Sequence, residues 1–151
     1  MSDITTVYDA LITRLGTTLS SHVRLSNATA VEENNEQFLK LGWGLAIGEG
    51  SNANRYLCDI LTIRRNFVLV ITRKFYAREF DAVSKATTEK DLYEDQFLVL
   101  QDLANNNILT TPTGEHNVNF IGDNGTEAVH GDKDLFLVLR TNLEVEYHQQ
   151  I

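Results

Sequence analysis

The sequence predicts an α+β fold: a mainly antiparallel β-sheet with two principal α-helices packed on one face, joined by long polar loops. Three observations predict it. Leu135 to Tyr147 alternates with period two, placing Leu135, Leu137, Leu139, Leu143, Val145 and Tyr147 on one face of a long strand. Leu57 to Tyr76 is a second extended run, rich in Val, Ile, Leu, Phe and Thr. One stretch before this pair and another between its two strands carry apolar residues at three- and four-residue spacing, the mark of an amphipathic helix.

In chain order, the first helix carries Ile4, Val7, Tyr8, Leu11, Ile12, Leu15 and Leu19 on one stripe. Ser2 or Asp3 is a cap candidate. Thr13, Arg14, Thr17 and Thr18 fall off the stripe, and Gly16 costs about 1 kcal/mol of helix propensity relative to Ala. Residues 22 to 38 form a long polar connection with Val23, Leu25 and Val31 as apolar pins. Leu41, Trp43, Leu45 and Ile47 alternate with Gly42, Gly44, Ala46 and Gly48, a strand whose small face allows close approach. Gly50 to Asn54 reads as a turn.

In the following run, Leu61, Ile63, Phe67, Leu69, Ile71 and Phe75 share one parity, interrupted by Arg65 and Arg73. Arg64-Arg65-Asn66 marks a bulge or a protruding stretch. Ala77 to Lys85 is a polar connection. Thr88 then caps a second helix, with Asp91 at its third position and Leu92, Tyr93, Gln96, Phe97, Leu100, Leu103 and Ala104 as its stripe. Asn105 to Asn107 ends it, and Pro112 lies in the loop beyond. Val118, Phe120 and Ile121 make a short strand, and Gly122 to Asp134 a Gly- and Asp-rich loop before the last strand. With no internal repeat or linker, residues 1–151 form a single domain.

A hydrophobic fraction of 42% supports a real core. No apolar run reaches the roughly 18 to 20 residues that span a bilayer, so no membrane role is expected. Met1 to Thr6 has no basic region followed by an apolar core, so no secretory signal is expected either, and the glycosylation-type triplets at Asn27 and Asn124 carry no weight. The single cysteine, Cys58, excludes an intramolecular disulfide and a Cys-rich zinc site. A net charge of −8 argues against tight nucleic-acid binding and suits a surface that DNA slides past.

No motif names a reaction. Gly48 to Ala53 matches the letters of a dinucleotide loop, but strand rather than helix follows it and Glu49 repels phosphate. Asp123, Asn124, Glu127, His130, Asp132 and Asp134 are rich in oxygen ligands, but Gly125 comes too early for an EF-hand. His22, His116, His130 and His148 form no metal-ligand spacing. No serine sits in a nucleophile elbow. Neither catalytic residues nor cofactors are expected. Of the thirteen Lys and Arg residues, five cluster at Arg64, Arg65, Arg73, Lys74 and Arg78. They make either a local salt-bridge surface with Glu79 and Asp81 or a subunit contact with the acidic face of a neighbour.

Three segments together resemble the tail terminator (tail completion) proteins of long-tailed bacteriophages. The first is the N-terminal amphipathic helix followed by Val23-Arg-Leu-Ser-Asn27. The second is Phe38-Leu-Lys-Leu-Gly-Trp-Gly-Leu-Ala-Ile-Gly48, leading through Ser51-Asn-Ala-Asn-Arg55 into the strand with Arg64-Arg-Asn-Phe67. The third is the closing strand through Tyr147. The resemblance implies a homo-oligomeric, hexameric ring that caps the tail tube, ends its polymerisation and joins it to a head-side neck or connector protein. It implies a virion protein made in the host cytoplasm, with DNA passing through the ring and no catalysis. Within the same class, the alternative is another head–tail connector or a tail tube component; two further readings are a small-molecule enzyme or ligand-binding domain, with its site near Trp43, Tyr76 and the Gly122 to Asp134 loop, and an adaptor binding partners along an exposed strand edge.

Overall fold

A computed structural model of the protein describes residues 3–24, 41–52, 60–75, 82–130 and 135–150. Its elements are α1 (Asp3–Thr18), β1 (Val23–Arg24), β2 (Leu41–Asn52), β3 (Ile60–Phe75), α2 (Ala82–Asn105), β4 (Ile108–Thr111), β5 (Gly114–His130) and β6 (Leu135–Gln150). The strands form one six-stranded sheet in the order β1-β2-β3-β6-β5-β4.

This corrects the expected fold class. In place of a mainly antiparallel sheet, the strands make a single curled, mixed sheet; most of the loop expected over residues 22–38 lies outside the described residues. β1 runs parallel to β2, pairing Val23 with Gly42 and Arg24 with Trp43. Much of the expected acidic loop is extended as well: β5 runs 17 residues from Gly114 to His130. Pairing with β6 overrides its poor strand propensity, because the apolar ladder of β6 offers a full edge of hydrogen-bonding groups. The coarser description, one sheet accompanied by two helices, stands.

β6 lies between β3 and β5 and is the centre of the core. Leu137, Leu139, Leu143 and Val145 are fully buried on the helix-bearing face, with Leu135 and Tyr147 nearly so. They pack in one cluster with Val7, Leu11, Leu15 and Leu19 of α1 and Leu92, Val99 and Leu103 of α2. The opposite face carries a smaller cluster, Val70, Phe136 and Val138. Beyond Val138 that face turns polar at Arg140, Asn142, Glu144 and Glu146, all half-exposed.

Several boundaries differ from the sequence reading. α1 continues past Gly16, which lies over the Trp43 ring: a Cβ there would sit 3.5 Å from the indole. α2 begins at Ala82, so Thr88 lies inside the helix and is not its N-cap. The bulge expected at Arg64 to Asn66 falls on the partner strand instead, where Ile47 pairs with Phe67 and Gly50 with Arg65. Two β2 residues, Gly48 and Glu49, thus oppose Asn66. Gly48 tolerates the squeeze because a Cβ would come 2.8 Å from the Asn66 carbonyl oxygen. β5 bulges twice against β6, at Ile121 and around Asn124 and Gly125. At the second bulge Gly125 has φ +74° and donates its N–H to Asp123 Oδ1 at 2.9 Å. Pro112 and Thr113 make the tight turn between β4 and β5.

Candidate functional site

The alternation of β3 separates the five basic residues proposed for a subunit contact. Arg65 and Arg73 share the parity of Phe67, Leu69 and Ile71 and point to the helix-bearing face, whereas Arg64 and Lys74 lie on the other. Arg64 is exposed and pairs with Glu146 across the ladder at 3.1 Å. Arg65 donates to Tyr147 Oη at 3.0 Å and to the Gly48 carbonyl at 3.2 Å. Its guanidinium covers Gly50 so closely that a Cβ there would come within 2.7 Å. Lys74 is half-buried and engaged. Arg78 lies outside the described residues, as do Asn27, Cys58, Tyr76, Asp132, Asp134 and the side chain of His130.

Arg73 reaches into a buried polar cluster that sequence reasoning missed. Its guanidinium grips the Asp95 carboxylate with two bonds, 2.7 and 2.9 Å. His22 Nε2 sits 3.0 Å from Asp95 Oδ2, a close contact that falls short of well-formed hydrogen-bond geometry. Burial by itself would push the Asp95 carboxyl up; Arg73, then His22, outweigh it and hold the group below the usual carboxylate range. The bond to Asp95 likewise raises the Arg73 guanidinium, against its own desolvation. The available signal was Arg73 breaking an apolar parity, with Asp95 three residues after Leu92 on the buried side of α2.

Ser21 Oγ lies 3.3 Å from His22 Nδ1, so serine, histidine and aspartate follow one another in space. The His22 side chain is only 2% exposed, and both Asp95 oxygens are bonded by Arg73. The arrangement is a structural tie between β3, α2 and the end of α1. A second tie joins the helices: Arg14 binds Asp102 at 2.8 Å, the Ile108 carbonyl at 3.0 Å and the Asn106 carbonyl. That spends the guanidinium within the chain and leaves the shallow groove beside it, lined by Thr13, Thr17 and Thr110, without a free cation. Among the described residues no group of histidine, cysteine or carboxylates could hold a metal ion.

The other notable surfaces are the two margins of the sheet. β4 pairs with β5 only over Gly114 to Asn117, and Val118 donates to the Asn107 carbonyl at 2.8 Å. Beyond Val118 the outer edge of β5 has no strand partner among the described residues. Phe120 and Ile121 are exposed there, at 42% and 56%. Beside them α2 turns Tyr93 and Phe97 outward, although both were expected in its buried stripe; Leu92, Asp95, Val99 and Leu103 take the buried side. A groove of about 530 Å³ between α2 and β5 is lined by Leu100, Leu103, Ala104, Val118 and Phe120. At the opposite margin β1 covers β2 only at Gly42 and Trp43, and Ile47 is 50% exposed.

No described helix is long and apolar enough to cross a membrane. No protein-family model matches the chain, and no curated protein matches it significantly.

Proposed function

We propose that the protein is a structural, non-enzymatic component of a long-tailed phage tail, similar to a tail terminator: a ring-forming protein that caps the tail tube, ends its polymerisation and joins it to the neck. One observation supports this reading most. The chain invests its length in a single long sheet whose two margins, among the described residues, carry strand edge without a strand partner and exposed apolar side chains, while the charged groups Arg73, Asp95, Arg14 and Asp102 are engaged with one another inside the chain. Edges of this kind suit docking between copies. The face opposite the helices adds exposed or half-exposed Glu127, Glu144 and Glu146, with Arg140 and Arg64 already paired to Glu127 and Glu146. Arg64, Lys74 and Arg140 balance these carboxylates, so among the described residues the face carries no net positive charge to hold DNA.

Light scattering on the purified chain, combined with negative-stain images, tests the proposal. A homo-oligomer with a central hole, binding to the end of isolated tail tubes, is the expected result. A monomer that neither forms rings nor attaches to tubes rejects it.

A further inference from the structure

We infer that the two margins of the sheet dock copies of this chain head to tail, the free β5 edge of one copy receiving the free β2 edge of the next. The inference rests on the ring reading above and specifies its seam. Three features point to a second copy as the occupant. Among the described residues, the β2 edge beyond Trp43 and the β5 edge beyond Val118 have no strand partner, and they lie toward opposite ends of one sheet, so joining them continues the sheet and pairs both rows of backbone groups.

Both margins also offer apolar surface on the same face. Ile47 pairs with Phe67, and Phe120 pairs with Leu143; Phe67 and Leu143 both belong to the helix-side core. A continued sheet therefore brings the exposed Ile47 side chain to the α2–β5 groove lined by Leu100, Ala104 and Phe120. The bulges at Ile121 and Gly125 interrupt the β5 edge, so its regular stretch beyond β4 centres on Asn119 and Phe120.

Charge is the third feature. Arg24 is exposed on β1, whereas Glu94 on α2 and Glu115 on β5 are exposed. For a chain of net charge −8, this places a cation of one copy toward carboxylates of the next. Because the two surfaces differ, the contact is heterologous and closes into a ring or extends into a filament.

The test uses the full chain with Phe120→Glu and Ile47→Glu, both at exposed side chains, with folding checked by circular dichroism. Each variant alone is expected to be monomeric, its association weakened at least about tenfold. Mixed together they keep one intact pair of margins, the β2 margin of Phe120→Glu and the β5 margin of Ile47→Glu, so the mixture should yield dimers and nothing larger. Normal assembly of both variants overturns the seam and leaves the ring reading standing. Disruption by Phe120→Glu only, with no dimer in the mixture, overturns the head-to-tail contact in favour of a symmetric β5 contact. A wild-type chain that stays monomeric at every concentration also overturns the seam; ring formation on isolated tubes then judges the ring reading separately.

Discussion

Asp95 is the residue on which three elements converge. It is 4% exposed and binds Arg73 on β3 and His22 just beyond α1. Replacing it by Asn leaves the half-exposed Arg73 guanidinium without its carboxylate, and Asp95→Asn should cost about 1–3 kcal/mol in denaturant unfolding. Because the folded-state carboxyl is held below its ordinary value of 3.8, its stabilisation is fully present above that pH and is lost as pH falls through the lower folded value. The gap between wild type and Asp95→Asn should therefore narrow in acid; a gap constant from neutral to strongly acid pH contradicts the assignment. Arg65 and Arg64, neighbours in sequence, should behave oppositely. Arg65→Glu loses the bonds to Tyr147 and Gly48 and should destabilise the protomer by about 1–3 kcal/mol. Arg64→Glu alters a pair that is half-exposed on both sides and should leave the melting temperature nearly unchanged. Joint reversal of both arginines would thus report on folding as much as on assembly.

At the scale of elements, glycine separates tolerance from constraint. Gly16 lies inside α1 with space for a methyl group in ordinary contact with Trp43. Gly16→Ala should raise stability by about 0.5–1 kcal/mol, read as a higher melting temperature. Gly48 occupies the β2 bulge, where a Cβ meets the backbone oxygen of Asn66 at 2.8 Å. Gly48→Ala should be destabilising, since backbone cannot move aside as a flexible side chain would. Equal effects of the two substitutions would contradict the placement of the bulge. α2 shows the same contrast along a helix. Its two apolar stripes compete for the sheet; the one with Leu92, Val99 and Leu103 is buried, and Tyr93 and Phe97 remain outside. Burial, with the nearby carboxylates of Asp123 and Glu89, raises the Tyr93 phenol above its usual range.

For the whole molecule, one cluster links both helices to five strands through β6, so a single cooperative unfolding transition is expected. Trp43 is the only tryptophan and is 2% exposed. Its fluorescence and the helical circular dichroism signal should lose their native values at the same urea concentration when the chain is dilute. Separate midpoints would show that the helices melt independently of the sheet. The assembly proposed above belongs to this scale as well, because the surfaces proposed for it are the margins of the sheet and no single element contains them.

Local pattern was enough for the α1 stripe, the buried face of β6 and the long β3 strand, because each is written in near-neighbour periodicity: 3.6 residues for a helix, two for a strand. The polar ending of the second β6 face was legible for the same reason. Tertiary structure decided what periodicity does not encode. It chose which of two α2 stripes is buried, drew the polar residues 122–130 into β5, set β1 parallel to β2 and turned Arg65 and Arg73 inward onto Tyr147 and Asp95. Each outcome depends on contacts between residues far apart in the chain, where an available hydrogen-bonding edge or a buried counter-charge outweighs local propensity.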